Sequence, residues 1–314
     1  MVDGTSDDAL TSLLSTVRLR ASVFGASELA APWGVSTEGL GAYVCYVIPE
    51  GSAVLAVRGT RRALPLLAGG VALVRAGMAH ELKDSLKTRA EPFERLRARS
   101  KSATSFFRGG GTGARTQVIC GTLEVDEIDR ALFDTALPPV VSLKHEELSG
   151  ATRHLVAALT SEAIDRKPGA SLVLTRLAEL LFVQVVRACI GLDVRTASWL
   201  RGVGHPAITK ALAAIHRAPG EAWTLERLAE EAMMSRSTFA ETFHDIVGET
   251  PFAYLTSWRM RAAAQLLASS DQSLKVIAST VGYASDEAFS RAFRAWAGMP
   301  PGAYRGRSPR RADT

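Results

Sequence analysis

The stretch MMSRSTFAETFHDIVGETPFAY, residues 233–254, decides the fold of the last third of this chain because it recurs 50 residues later as YASDEAFSRAFRAWAGMPPGAY, residues 283–304. In both copies, two Phe residues four positions apart are followed by Gly, Pro and Tyr at the same spacing. Repetition of this kind indicates a repeated structural unit, but two copies are too few for a solenoid. The repeat therefore predicts a tandem of two small helical units.

The second half of each copy has the pattern of a capped amphipathic helix. Serine is a preferred residue at a helix N-cap, so Ser235 and Ser285 are predicted to cap the helices that follow them. The Phe pair in each helix then lies on one helical face. Gly248 and Gly298 then provide the left-handed residue at which helices commonly end. Each copy is therefore predicted to end in a helix with one buried aromatic face.

A shorter helix is predicted before each of these, so that each unit is a helix-turn-helix. Thr224 caps the first at residues 225–232, and Ser273 caps the second at residues 274–280. Between the two units Pro251 opens a long helix with apolar residues at helical spacing. Such a helix is a rigid spacer that holds the two units at a fixed separation, which implies a partner with two sites at the same separation.

Two short helices joined by a tight turn allow the second helix to enter the DNA major groove, with small and polar residues near its N-terminus against base edges. Ser235 to Thr238 and Ser285 to Glu287 are such residues. One unit alone could equally be an ordinary helical bundle. Two matched units favour DNA recognition.

Residues from Pro206 to Arg305 resemble the AraC/XylS family of bacterial transcription regulators. The resemblance rests on the following segments: Leu228-Ala229, Met234 to Phe239, Val247 to Pro251, Tyr254-Leu255, Trp258 to Met260, Ile277-Ala278, Val281 to Tyr283, Phe289 to Phe293, Gly298 to Pro301 and Tyr304-Arg305. It implies a transcription regulator, more often an activator that contacts RNA polymerase, whose two recognition helices enter successive major grooves of double-stranded DNA.

The resemblance also implies roles for individual residues. The base-facing candidates are Ser237, Ala240 and Glu241 in the first unit and Asp286, Glu287 and Arg291 in the second, with Thr238 and Ser290 on the same helices. The phosphate-binding candidates are Arg236, Arg259, Arg294 and Arg305. Arg291 can bond guanine bidentately. Glu241 departs from the family pattern, in which Arg is frequent at this position. Its carboxylate either accepts a hydrogen bond from cytosine N4 or points away from the bases. The first unit is therefore expected to read little sequence.

Charge does not decide the function. Residues 206–314 contain 13 Lys and Arg against 11 Asp and Glu, a small excess for a DNA-binding domain. The basic tail, residues 306–314, is either an arm that contacts phosphates or a solvated chain end.

The first two-thirds of the chain is rich in short β-type runs broken by Gly and Pro, which predicts a sandwich or barrel. The predicted strands are Tyr43–Ile48, Ser52–Val57, Val71–Val74 and Val118–Val125. The order of Pro32-Trp33-Gly34, Pro49-Glu50-Gly51, Leu67-Ala68-Gly69, Gly77 to His80 and Cys120-Gly121 resembles the cupin-type sensor domain of one AraC branch.

This resemblance implies a ligand-sensing barrel at residues 1–138. A cupin metalloenzyme holds its metal with two or three His and a carboxylate, and the barrel supplies His80 alone, so we predict no metal, no cofactor and no enzymatic activity. A small-molecule effector could still lie in the barrel, with Trp33, Tyr43, Tyr46 and His80 as candidate lining. The alternative is that the aromatic residues are plain core and His80 is structural.

Residues 139–204 are predicted to form a helical hairpin and linker. One helix is expected at 148–164, and a second carries the apolar stripe Leu174, Leu177, Leu181, Val185 and Ala188. The stripe either packs against a second copy, as in homodimers of the resembling family, or closes the core of its own domain. The basic segment from Lys83 to Arg115 is predicted to be a long flexible loop, with a nucleic-acid contact as the alternative.

The predicted fold class is α+β with two domains: a cupin-like β-barrel with a helical hairpin, and an all-α domain of two helix-turn-helix units joined by a long helix, at 205–305. The 314 residues are 47 % hydrophobic, without an uncharged apolar run of membrane-spanning length. The acidic start predicts no signal peptide, and three scattered Cys fit a reducing cytoplasm. Two other functions stay open, a cupin metalloenzyme with an appended domain and an interaction protein that no longer reads DNA.

Overall fold

The computed structural model describes residues 8–17, 19–99, 107–190 and 198–307. Within them, the strands lie in the first half of the chain and form two sheets, ordered β11-β6-β3-β10-β1-β9 and β5-β4-β7-β2-β8. The strands are β1 Leu19–Ala30, β2 Gly34–Thr37, β3 Tyr43–Val47, β4 Ser52–Val57, β5 Leu64–Leu67, β6 Val71–Val74, β7 His80–Lys83, β8 Glu91–Pro92, β9 Phe107–Gly110, β10 Arg115–Val125 and β11 Val140–Leu143.

Among the described residues, helices are the first and the last elements and dominate the second half of the chain. They are α1 Ala9–Thr16, α2 Phe93–Arg99, α3 Glu127–Ala136, α4 Gly150–Asp165, α5 Ala170–Ile190, α6 Trp199–Gly204, α7 Ile208–Arg217, α8 Leu225–Glu231, α9 Arg236–Val247, α10 Pro251–Ser269, α11 Leu274–Thr280, α12 Asp286–Ala297 and α13 Pro301–Arg307. The predicted α+β class, with a sheet-rich N-terminal part and a helical C-terminal part, is confirmed.

The chain falls into two compact units. The β-rich unit spans residues 18–126 and 133–194, and the helical unit spans residues 1–17, 127–132 and 195–314. The helical unit therefore includes α1 and the start of α3, two segments that sequence order alone assigns to the N-terminal domain.

The core of the β-rich unit contains side chains from both sheets, among them Trp33, Tyr46, Leu55 and Leu82. The strand pattern follows from alternation: the six residues of β4 run from exposed Ser52 through buried residues at every second position. Two predicted strands, β4 and β6, have the predicted bounds, and β3 and β10 differ at one end only.

The prediction of a long loop from Lys83 to Arg115 is wrong for its described residues. The segment contains β8, α2 and β9, and β9 pairs in parallel with the end of β1, with Phe107 opposite Ser27. Phe107 also packs against the core, which a run of basic residues in sequence does not reveal. Residues 100–106 lie outside the described part of the chain, as do 191–197 of the predicted linker and 308–314 of the predicted tail.

The helical hairpin is formed by α4 and α5. Ser149 caps α4 by accepting a bond from the Thr152 amide, which places its start two residues after the predicted one. Leu174, Leu181 and Val185 of the predicted stripe are buried within the chain itself, and Leu177 and Ala188 are half-buried. Within the described residues, no helix is long and apolar enough to cross a membrane.

Candidate nucleic-acid interface

The two helix-turn-helix units, α8 with α9 and α11 with α12, are built by the same local interactions. The Ser235 hydroxyl accepts a bond from the Thr238 amide at 3.3 Å, and the Ser285 hydroxyl accepts one from the Ala288 amide at 3.2 Å. Gly248 ends α9 with a φ of 92°, and Gly298 ends α12 with a φ of 72°. The sequence repeat is therefore also a structural repeat.

Each recognition helix buries its Phe pair and exposes the opposite face. The ring centroids of Phe239 and Phe243 are 5.6 Å apart, and those of Phe289 and Phe293 are 5.7 Å apart, with all four side chains fully buried. Burying two aromatic rings fixes the rotation of a 12-residue helix about its own axis. The side chains that point to solvent are therefore set by sequence position.

The linker helix α10 serves both units. In its first half, Tyr254 contacts the Phe243 ring edge-on at 5.8 Å, while Trp258 stacks on His216 of α7 at 3.8 Å. In its second half, Met260 and Leu267 pack in the cluster that contains the Phe pair of α12. The helix that the sequence predicts as a spacer is thus part of both cores.

The turns between the paired helices differ. Met233 in the first unit adopts a φ of 54°, and its side chain is 76 % exposed. Gly282 takes the corresponding left-handed position in the second unit, with a φ of 84°. Glycine adopts this conformation without the steric strain that a side chain brings, so the first turn is the more strained.

The exposed face of α12 carries a mixed charge pattern. Glu287, Arg291 and Arg294 are exposed at i, i+4 and i+7, which places them on one face, with Asp286 beside them near the N-terminus. The equivalent exposed positions of α9 are Ser237, Glu241 and His244. The second unit therefore presents two guanidinium groups where the first presents a carboxylate and an imidazole.

Other predicted DNA-binding residues are less available. Ala240 and Ser290 are half-buried, and Thr238 is exposed with its hydroxyl 2.8 Å from that of Ser235. Arg236 forms an ion pair with Glu226 at 3.0 Å, both side chains being more than half exposed. Solvent screens such a pair, so it holds Arg236 only weakly.

Two of the predicted phosphate-binding residues bond the protein backbone. Arg305 donates from Nη2 to the Gln272 carbonyl at 2.5 Å. Arg259 donates from Nε to the Pro219 carbonyl at 2.7 Å and from Nη2 to the Glu221 carbonyl at 2.8 Å. Desolvation by burial lowers the pKa of Arg259.

The four candidate ligand-lining residues of the barrel do not share one site. Tyr46 and His80 bond each other inside the core, with 2.7 Å between the Tyr46 hydroxyl and Nε2. His80 Nδ1 lies 2.9 Å from the Met78 carbonyl, which can only accept, so Nδ1 carries the proton and Nε2 accepts from Tyr46. Burial also lowers the pKa of His80, which favours this neutral ring.

Tyr43 lies on the opposite face of β3 from Tyr46, because neighbouring side chains along a strand alternate. Its hydroxyl donates to Asp134 at 2.8 Å, and its ring packs edge-on against Phe182. Trp33 is buried, and its indole N–H finds no hydrogen-bond partner among the described residues. Trp33 lines a cavity of about 750 Å³, together with Val35, Arg89, Pro92 and Leu96 among others.

The three cysteines are buried or half-buried and carry protonated thiols. Burial raises the pKa of Cys45 and Cys120 to about 12 and that of Cys189 to about 11, so all three are thiols at neutral pH. Among the described residues, no group of three or more His, Cys, Asp or Glu is placed to hold a metal ion.

Sequence reasoning missed a buried polar cluster behind the recognition helices. Arg261 of α10 forms an ion pair with Asp129 at 2.6 Å, and both side chains are about nine-tenths buried. His216 of α7 bonds Tyr254 at 2.7 Å and the Ala9 carbonyl at 3.0 Å. The bonded residues are 132, 207 and 38 residues apart in sequence, so no local pattern signals these contacts.

Comparison with known protein families gives one match in each of the two parts of the chain. Residues 8–191 match the model of the family described as cupin, and residues 228–307 match the one described as helix-turn-helix domain. The chain is 31 % identical to the HTH-type transcriptional regulator AlkR of Acinetobacter baylyi, over 96 % of this chain and 100 % of AlkR.

Two further relatives agree with this result. A putative AraC-like transcription regulator of Streptomyces lividans is 29 % identical over 95 % of this chain and 98 % of that protein. The RCS-specific HTH-type transcriptional activator RclR of Escherichia coli is 34 % identical over 61 % of this chain and 68 % of RclR. With its cupin-like N-terminal domain and its paired helix-turn-helix units, the chain belongs to the AraC family of DNA-binding transcription regulators.

Proposed function

We propose that α9 and α12 enter two successive major-groove segments on one face of double-stranded DNA, and that α12 makes most of the sequence-specific contacts. The observation that carries this proposal is the pair of equivalent exposed helix faces, Ser237-Glu241-His244 and Glu287-Arg291-Arg294, on units that share one linker helix. An α-helix fits the major groove, and side chains near its N-terminus reach the base edges.

Arg291 is the main base-reading residue in this proposal. Its side chain is exposed, and the described part of the chain contains no ion-pair partner for it. Its guanidinium can therefore bond O6 and N7 of guanine without first breaking an internal interaction. Arg294, one turn further from the helix N-terminus, is the candidate for a phosphate, and Asp286 and Glu287 can accept bonds from cytosine amino groups.

The first unit has a positioning role with weaker discrimination. Glu241 cannot bond guanine as Arg291 can, and it repels phosphates, whereas Ser237 and Thr238 accept or donate to several bases. Arg236 supplies a phosphate contact once its exposed ion pair with Glu226 opens. We therefore expect one strongly and one weakly specified element in the bound DNA.

Three further proposals concern the effector, the effect on transcription and the oligomeric state. We propose that a small effector bound in the β-rich unit changes how the two DNA-reading units are placed on DNA. We further propose that the protein activates transcription through RNA polymerase in the cytoplasm. It does so as a homodimer. The hairpin supports the dimer, because Ile164, Leu172, Val173 and Leu180 are large apolar side chains that are 42–62 % exposed. Sedimentation of the wild type and of Leu180→Glu tests it.

Salt-dependent DNA binding separates these proposals from the two alternatives. We expect the affinity for a selected duplex to fall with increasing salt, with a slope that reports the number of phosphates contacted, and to exceed the affinity for a scrambled duplex at every salt concentration. An interaction protein that no longer reads DNA would bind both duplexes equally. A metalloenzyme would retain a stoichiometric metal after dialysis.

A further inference from the structure

Arg259 lies at the middle of α10 and bonds a loop that touches both helix-turn-helix units. This loop, residues 218–224, joins α7 to α8, the first helix of the first unit. The Arg259 guanidinium donates to two of its carbonyls, those of Pro219 and Glu221, at 2.7 and 2.8 Å. The same group lies 6.0 Å from the Tyr283 ring, at the turn of the second unit.

The loop and the turn of the second unit are in backbone contact. A Cβ atom added to Gly220 would lie 2.3 Å from the Thr280 carbonyl oxygen. A Cβ atom added to Gly282 would lie 2.7 Å from the Gly220 carbonyl oxygen and 2.8 Å from Nη2 of Arg259. Glycine is therefore required on both sides of this contact, because any side chain would separate the two backbones.

The loop is also held firmly to the first unit. The Trp223 indole N–H donates to the Ala218 carbonyl at 2.8 Å, which closes the loop on itself. Arg227 of α8 stacks over the Trp223 ring at 4.7 Å and donates to the Ala222 carbonyl at 2.8 Å. Since α8 packs against α9, the position of the loop reports the position of the first recognition helix.

These contacts give the two recognition helices a second connection in addition to the linker helix. One connection runs through α10, and the other runs from α9 through α8, the 218–224 loop and the turn at Gly282 to α12. A single helix permits bending and twisting of one unit against the other, whereas two connections close a ring and remove that freedom. Arg259 belongs to both connections, because it projects from α10 and bonds the loop.

We propose that Arg259 is a positioning residue that sets the spacing between the two DNA elements that the protein accepts. The inference rests on the proposed DNA reading by α9 and α12. This positioning role replaces the phosphate contact that the family resemblance implies for Arg259, because two of its guanidinium N–H groups already donate to backbone carbonyls. One extra base pair moves the second element by about 3.4 Å and rotates it by about 34–36°, and a closed ring of contacts cannot follow such a shift.

Spacing discrimination is the measurement that tests this role. The full-length protein is titrated against its selected duplex and against the same duplex with one base pair inserted between the two elements, and the ratio of the two dissociation constants is compared among variants. For the wild type we expect a ratio of about 10 or more, the range that one or more lost base contacts produces. A phosphate contact would change both constants equally and leave the ratio unaltered.

Two variants disturb the ring in different ways. Arg259→Lys keeps the positive charge but loses the planar fork that bonds two carbonyls, and Gly220→Ala changes no charge but pushes the loop from Thr280. We expect each to reduce the ratio to about 3 or less. The matched controls are Arg217→Ala, which removes an exposed cation, and Gly302→Ala, whose added Cβ meets no atom within 4 Å. Both controls should keep the wild-type ratio.

The outcomes are distinguishable from failure of DNA reading itself. If the wild type selects no motif, the proposed function fails. If it selects one and both Arg259→Lys and Gly220→Ala keep the wild-type ratio, the spacing role is overturned. It is equally overturned if neither variant folds, as judged by circular dichroism, because the contact would then serve folding alone.

Discussion

Lowering the pH from 7 to 5 should destabilise the helical unit through His216. This residue is 7 % exposed, donates from Nδ1 to the Ala9 carbonyl, accepts at Nε2 from the Tyr254 hydroxyl and stacks on Trp258. Both ring nitrogens are therefore hydrogen-bonded in the neutral form. Desolvation by burial, with a further contribution from nearby Arg261, lowers the pKa of His216 to about 3.

The magnitude follows from proton linkage. The unfolded chain binds a proton at His216 with a pKa near 6.5, and the folded chain does so only near 3. The stabilisation is therefore complete above the unfolded pKa and is lost progressively as the pH falls from 6.5 towards 3. Between pH 7 and pH 5 this one residue should lower the free energy of unfolding by about 2 kcal/mol.

Urea unfolding followed by tryptophan fluorescence measures this effect. Four of the five Trp residues, at positions 199, 223, 258 and 296, lie in the helical unit, so the signal reports mainly that unit. The fall in unfolding free energy from pH 7 to pH 5 should be about 2 kcal/mol smaller in His216→Gln than in the wild type. The control His154→Gln, at an exposed position of α4, should follow the wild type. A His216→Gln variant with the full wild-type pH dependence would refute the reasoning.

Two further predictions concern buried polar contacts. Asp129→Ala leaves the Arg261 guanidinium buried without its carboxylate partner and should lower the free energy of unfolding by about 3–5 kcal/mol. The control Glu226→Ala removes the exposed ion pair with Arg236 and should lower the free energy of unfolding by less than about 1 kcal/mol. Equal effects would contradict the burial argument; chemical denaturation measures both. Tyr46→Phe removes the hydroxyl that donates to His80 Nε2 and should lower the free energy of unfolding of the β-rich unit by about 1–3 kcal/mol, as measured by calorimetry. An unchanged free energy of unfolding would show that this hydrogen bond is not formed.

Local signals predicted the DNA-reading part of the fold well. Ser235, Ser273 and Ser285 begin helices within one residue of the predicted positions, because an N-cap interaction involves residues only three positions apart. The Phe pairs were sufficient to identify which helix faces are buried. The recognition helices could therefore be derived from the sequence with their exposed side chains.

Long-range contacts could not be derived in this way. The backbone partners of Arg259 are about 40 residues away, so the sequence shows an Arg on a helix but not its inward direction. Strand β1 was missed because its residues Leu19–Ala30 lack clear alternation, and pairing with β10 across a bulge stabilises it. The separation of Tyr43 from Tyr46, by contrast, was predictable from the period of two along a strand.

The most direct test of DNA reading is selection of bound sequences from a random duplex pool at fixed salt, with the full-length wild type and with Arg291→Ala. The wild type should enrich a motif with one strong and one weak element. Arg291→Ala should lose the preference for guanine at one position of the strong element, at a cost of about 1–3 kcal/mol, or about 5- to 150-fold in affinity. The control Glu241→Ala should keep the strong element. Absence of a motif, or an unchanged motif in Arg291→Ala, would contradict the assignment of α12 as the main reader.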